Sequence, residues 1–359
     1  MKKLFILSQL VFWAVSGFSQ HNTANIWYFG DHAGIDFNTG VPVALTDGQL
    51  NTAEGCAVIC NSSGDLLFYT EGTTVWNKNH VVMQNGTGLL GHFSATQSSI
   101  IVPYPQSDSL YIIFTIDARE NSLLNGIRYS VVNMNPDNGL GAVTSVKNIL
   151  LHTPVSEKLT MVINPDQVDY WVIAHEWGSD AFLAYSVTSA GVDTVPVVSN
   201  VGGIHSGGNP SYLHSIGCMK ASLSGNLLAV ANYRNSGYFE LFDFSGATGI
   251  VSNVRTSPAT YFRPYGVEFS PDENFLYGSI CGSEYTDGKL YQFDLSAPNP
   301  LDNSILVGSS LKHIMALQLA PNGKIFVSCR DQEYISCIEQ PDTHGIACSF
   351  IHDAFYLNG

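Results

Sequence analysis

Beyond the first twenty residues, apolar positions come in short runs of Val, Ile, Phe, Tyr and Leu, separated by clusters of Gly, Asn, Asp, Ser and Pro. The helical spacing of i, i+3, i+4 hardly occurs, so the pattern predicts strands and turns. It also repeats. Turns at Asn61-Ser-Ser-Gly64, Pro105-Gln-Ser-Asp108, Asn164-Pro-Asp166, Leu223-Ser-Gly-Asn226, Ser270-Pro-Asp272 and Ala320-Pro-Asn-Gly323 each lead into a near-continuous apolar strand. Those strands are Leu66–Thr70, Leu110–Ile116, Tyr170–Ala174, Leu227–Ala231, Phe275–Ile280 and Ile325–Cys329. A polar loop and a further strand follow: Thr74–Asn77, Gly126–Met134, Ala181–Thr188, Tyr238–Ser245, Leu290–Leu295 and Tyr334–Glu339.

Units of about 45–50 residues with four strands each have the period of propeller blades. A strand apolar along its whole length suits a sheet covered on both faces. Six units are visible between 54 and 353. Ile26–Gly30, Gly34–Asn38 and Pro42–Thr46 supply three strands of a seventh. The expected fold is therefore all-β, a seven-bladed β-propeller. Its last blade is built mainly from the N-terminal segment and lacks an innermost strand before the chain stops at Gly359.

Composition narrows the class. The 359 residues are 45% hydrophobic, too apolar for disorder, and the 5 Trp, 17 Tyr and 19 Phe suit layers between sheets. Fifteen Lys and Arg against thirty Asp and Glu give a net charge of −15, which argues against nucleic acid as a partner. Met1-Lys-Lys3, the apolar stretch Leu4–Val15 and the small residues Gly17 and Ser19 read as a signal peptide over 1–19, with 20–359 as one exported domain. No later segment is long enough to span a membrane. The seven cysteines form no CxxC, and most behave as small hydrophobes in strand patterns. Cys329, Cys337 and Cys348 fall on consecutive expected strands, which leaves one cross-strand disulfide open.

Several stretches resemble a family of exported bacterial surface proteins with an N-terminal WD40-like propeller. These are Asn25-Ile-Trp-Tyr-Phe-Gly30, Gly34-Ile-Asp-Phe37, Leu45-Thr-Asp-Gly48, Glu54-Gly-Cys56, Val75-Trp-Asn77, Thr96-Gln-Ser98, Glu157-Lys-Leu-Thr160 and Tyr265-Gly-Val-Glu-Phe-Ser-Pro-Asp272. Many members continue into immunoglobulin-like modules and a gliding-motility-associated C-terminal sorting domain. The resemblance implies a propeller, export and a place at the cell surface. It also implies a closing strand and often further domains after Gly359. It implies no defined activity.

Motifs for chemistry are sparse. Gly86-Thr-Gly-Leu-Leu-Gly91 fits GxGxxG but no helix pattern follows, and His175-Glu176 lacks the second His of HExxH. The repeats themselves point to a face. In a propeller the loops after the second strands leave on one side, and reading them in order gives Asp31, Glu71, Asp117, His175, Glu176, Trp177, Asn232, Glu284 and Asp331. These are the candidate ligand-binding residues, against the plainer reading that such polar groups cap turns. The favoured expectation is a monomeric, non-enzymatic module that binds an envelope protein or glycan without a cofactor. The alternative is a metal-assisted hydrolase or lactonase, in which the carboxylates hold a divalent cation and His175 serves as base.

Overall fold

The computed structural model describes residues 22–283 and 286–358. The expected signal peptide lies outside the described residues, as do Glu284 and Tyr285. Nearly every element is a strand, arranged in six sheets in chain order, with neighbouring strands antiparallel but for one pair. The N-terminal sheet has three strands, Ile26–Phe29, Ala33–Asp36 and Val43–Leu45. The second has nine, and divides into two meanders, 57–87 and 99–152. A single parallel pair, Ala142 with Gln84, joins them. The remaining sheets span 155–200, 219–256, 264–310 and 314–356.

The expected strands fall where the apolar runs put them. Leu66–Thr70, Leu110–Ile116, Phe275–Ile280 and Ile325–Cys329 each form the second strand of their meander. They are bounded by the turn residues that cannot continue a ladder. First strands of successive units lie side by side, which gives the propeller-like arrangement. Gln97 stitches three units near this inner edge: its Oε1 accepts from the Leu159 and Met219 N–H groups at 3.1 and 2.7 Å.

Apolar layers between units carry the fold. Tyr28, Leu50 and Tyr69 join the N-terminal sheet to the next meander. Phe68 and Ile113, then Phe114 and Tyr185, then Phe182 and Phe242 continue the series. Phe239 with Phe293 and Tyr277 with Val327 extend it. Ile35, Phe37, Phe326, Ile335 and Leu357 bring the last sheet back onto the first. Gly278 and Gly308 show how close the units stand: a Cβ there would lie 2.7 Å from the Phe239 ring and 2.2 Å from that of Phe350.

One possibility left open by the sequence closes. None of the seven cysteines is bonded. The register sets Cys337 opposite Phe326, three rungs from Cys329, and Cys348 sits in a short 3-10 helix rather than a strand. The C-terminal strand Phe350–Tyr356 pairs with Tyr334–Ile338 in the final sheet, while the N-terminal sheet keeps three strands among the described residues. The Tyr28 carbonyl there accepts from the Cys56 thiol at 3.2 Å. No helix among the described residues is long and apolar enough to cross a membrane.

Candidate functional site

Backbone bonds show that the loops after second strands and the connections into first strands share one rim. Gly91 N donates to Gly72 O, Trp177 N to Pro154 O and Gly178 N to His205 O, at 3.0, 3.1 and 2.8 Å. Around the other half, Arg263 N donates to Arg234 O, Cys281 N to Arg263 O and Arg330 N to His313 O, at 2.8, 3.0 and 3.1 Å. Each loop is thus tied to a neighbouring connection.

The residues expected at this rim separate into two groups. Asp31 and Asp331 are surface groups, 77% and 83% exposed, beside His32 and Arg330. Glu176 pairs with His152 at 2.8 Å, and Trp177 lies half-buried with its ring 5.7 Å from that of Tyr212. The others are buried and spend their polar atoms locally. Asp117 accepts from Ala118 N, Asn121 Nδ2 and Asn125 N at 2.9, 2.8 and 2.7 Å. Glu71 accepts from Thr73 Oγ1 and Thr74 N, and burial pushes its carboxyl up from the usual range. Asn232 donates to Glu240 Oε2 at 2.8 Å. His175 stacks on His205 with centroids 3.6 Å apart. Burial, then the neighbouring His205 ring, holds it well below the ordinary imidazole range. Glu284 lies outside the described residues. The rim carboxylates therefore do not gather at one point, and among the described residues no three His, Cys, Asp or Glu side chains come together as a ligand set.

A different set of charges lies inward, where connections enter first strands. Glu157 is fully buried and fully partnered. Its Oε1 accepts from Arg119 N at 2.8 Å and Ser215 Oγ at 3.2 Å, and its Oε2 from Thr96 N and Oγ1 at 3.0 and 2.9 Å. Lys158, also fully buried, donates to the Ser215 and Ile216 carbonyls at 2.9 and 2.7 Å. Burial pulls its amine down to about 7, against the pull of Glu157. Glu240 accepts from Gly203 N and Asn232 Nδ2, both at 2.8 Å, and burial raises its carboxyl.

Two groups in this inner set are left wanting. The Oε2 of Glu54 is buried with no hydrogen-bond partner. Burial and then the Glu157 charge push the Glu54 carboxyl up to about 8, against the Tyr265 and Thr96 hydroxyls. Both ring nitrogens of buried His205 are likewise unpartnered, with Glu240 Oε2 4.0 Å from Nε2. Strongly shifted groups cluster at functional sites, and structural charge networks shift them as well, so the unpartnered atoms are what sets Glu54 and His205 apart.

The repeat argument did not reach Glu54, Glu157, Lys158, His205, Arg263 or Tyr265 as site residues, because they precede or begin first strands instead of following second ones. One signal was present: the charged pair Glu157-Lys158 stands inside the strand Val155–Ile163, beside Val155, Leu159, Met161 and Val162.

Comparison with known proteins gives the fold. A candidate 6-phosphogluconolactonase from Bacteroides fragilis shares 15% identity at a TM-score of 0.53, over 90% of this chain and 91% of that one. A second, from Bacteroides uniformis, shares 14% at 0.51, over 85% and 86%. A protein from Lactobacillus plantarum shares 15% at 0.50, over 85% and 86%. No protein-family model matches the sequence, and no curated protein matches it.

Proposed function

We propose that this chain is an exported propeller of the surface-protein kind its sequence resembles, and that its loop rim binds a glycan or other polyhydroxylated ligand at the cell envelope. The count of seven blades follows if the nine-stranded sheet is divided at its lone parallel pair. The observation that carries the binding reading is the unpartnered Glu54 Oε2. A buried acceptor without a donor is costly, and a ligand hydroxyl would satisfy it. Glu54 is held in place by its own backbone and its neighbour's: Glu54 N donates to Phe93 O at 3.3 Å and Gly55 N to Ala95 O at 3.0 Å. The half-buried Trp177 adds a stacking surface for a sugar ring.

Titration calorimetry of purified protein against neutral and acidic mono- and oligosaccharides tests this. Binding lost in Glu54→Leu, with folding intact, supports it. Saccharide binding that survives Glu54→Leu, or capture of an envelope protein alone, removes it. Export is tested separately by N-terminal sequencing of protein from envelope and medium fractions.

Lactone hydrolysis is the second reading, favoured by the raised Glu54 carboxyl and by the two neighbours named for 6-phosphogluconolactonase. Ionised Glu54 would take a proton from water as the water oxygen bonds to the lactone carbonyl carbon. The ring C–O bond then breaks, and the proton passes to the leaving oxygen to give a hydroxy acid. Release of acid from aldonolactones, rising with pH through about 8 and absent in Glu54→Gln, would establish it.

A further inference from the structure

Both halves of the rim carry charges of both signs, in different proportion. The N-terminal half has Glu54, Glu71, Asp117, Glu120, Glu157 and Glu176 with the cations Arg119 and Lys158. The half built from residues 219–356 has the cations Arg234, Arg263, Lys312 and Arg330, with His313, beside Asp331 and Glu333.

The basic residues are joined through the main chain. Arg234 O receives Arg263 N, Arg263 O receives Cys281 N, and His313 O receives Arg330 N. The side chain of Cys281 completes the series, with Sγ 3.3 Å from His313 Nδ1. On the inner side, Tyr233, which lies beneath the Arg263 guanidinium, has its ring centroid 6.5 Å from that of Tyr265, whose hydroxyl bonds to the Glu54 carboxyl.

Among the described residues, neither Arg234 nor Arg263 has a carboxylate in ion-pair contact, and the Nε of each is buried without a partner. Arg234 gives one bond, from Nη2 to Ile204 O at 2.6 Å. The Arg263 guanidinium lies 4.8 Å from the Phe262 ring centroid and 5.7 Å from that of Tyr233. Arg263 also bonds to the Tyr233 hydroxyl, and the aromatic faces fix the guanidinium's plane while its Nε stays without a partner, a preparation suited to a planar or tetrahedral oxyanion. Arg330 does have a partner, Asp331 at 3.2 Å, but that pair is exposed and exchanges easily.

We propose that Arg234, Arg263, His313 and Arg330 form an oxyanion subsite, so that the ligand at this rim is an acidic sugar bearing a carboxylate, phosphate or sulfate. This rests on the glycan-binding reading above: the anion sits on the basic sector and the hydroxyls reach toward Glu54. The neutral end and the charged end of the ligand are then recognised by opposite sides of one mouth.

Calorimetry at fixed ionic strength with four probes tests it: glucose, gluconate, glucose 6-phosphate and glucose 6-sulfate. The three anions should bind at least tenfold tighter than glucose, and their ranking identifies the group preferred. Arg263→Gln should bring all three to the level of glucose, and Arg263→Lys should fall between. Lys78→Gln, an equal loss of charge in the turn between third and fourth strands on the opposite side, should behave as wild type. Arg330→Gln, at an exposed position, serves as a second variant whose folding is secure, and should lower anion affinity several-fold. Equal binding of glucose and the anions overturns the subsite while leaving the glycan reading intact. Anion binding indifferent to both arginine variants also overturns it. No binding by any of the four probes removes both.

Discussion

Glu54 and Glu157 sit at related places, each where a connection turns into the inner part of a sheet, and both are pushed toward the neutral form by burial. Their surroundings differ. Glu157 accepts four hydrogen bonds, drawn from Thr96, Arg119 and Ser215, and thereby clamps three stretches of chain together. Glu54 has an oxygen that accepts none. The first carboxylate spends its capacity on the ring itself, and the second keeps capacity in reserve. Burial and a shifted pKa alone do not separate a structural charge from a functional one. The count of satisfied lone pairs does.

Substitutions should widen this contrast. The largest effect is expected at Glu157→Ala, which strands the Thr96 N–H, the Thr96 hydroxyl and the Arg119 N–H, while the Ser215 hydroxyl keeps the Tyr212 carbonyl at 2.7 Å. At about 1–3 kcal/mol for each buried group left unpaired, the loss should exceed 3 kcal/mol and show as a sharply lowered urea midpoint. An unchanged midpoint would mean that the clamp is idle. Asp117→Ala, which frees three donors within one loop, should come close behind.

Glu54→Gln should act in the opposite sense and depend on pH. A carboxyl raised to about 8 in the folded state favours folding below its ordinary value of 4.5, and that contribution disappears as pH rises toward 8. The variant should therefore gain on wild type between pH 5 and 8, by on the order of 2 kcal/mol after allowing for solvent screening, and stay level above that. Paired urea titrations at several pH values measure the difference. A gap that does not vary with pH would place Glu54 among the ordinary surface carboxylates.

His205→Phe should have a smaller effect. Phenylalanine keeps the stacking on His175 and removes two unpartnered nitrogens, so stability should hold or rise by about 1 kcal/mol. Because burial keeps His205 below the ordinary value of 6.5, wild type loses stability as pH falls beneath it. The variant should lose less in acid, and a steeper acid loss would show that His205 has a partner in solution. Smallest of all, Asp331→Asn should shift the midpoint by less than about 0.5 kcal/mol, as expected for an exposed pair.

The strand pattern was readable because a strand covered on both faces must be apolar along its length and must end in turn residues, as Phe275–Ile280 does after Ser270-Pro-Asp272. The places of the turns and of the loops after second strands were readable for the same reason, since the repeats align. Their roles were not. Whether Asp117 faces a ligand or its own loop depends on the curl that brings Asn121 and Asn125 back onto it, and no spacing rule encodes that curl. Glu54 was hidden because the direction of a connection emerges only once Phe93 and Ala95 receive the backbone of 54 and 55. The question of a cross-strand disulfide stayed open in the sequence because proximity in sequence-ordered strands says nothing of which rung each residue occupies.

Those unbonded thiols have a use of their own. Six of the seven are buried, and they are spread over four of the sheets and their approaches, at 56 and 60, 218, 281, and 329, 337 and 348. A buried thiol reacts with an alkylating reagent only when the structure around it opens, and at a rate set by how often it does so. The chain therefore carries built-in clocks around its circumference. Mass-resolved alkylation under native conditions would time the breathing of one sheet against another without a single substitution, and would show whether the three-stranded sheet beside Cys56 opens ahead of the rest.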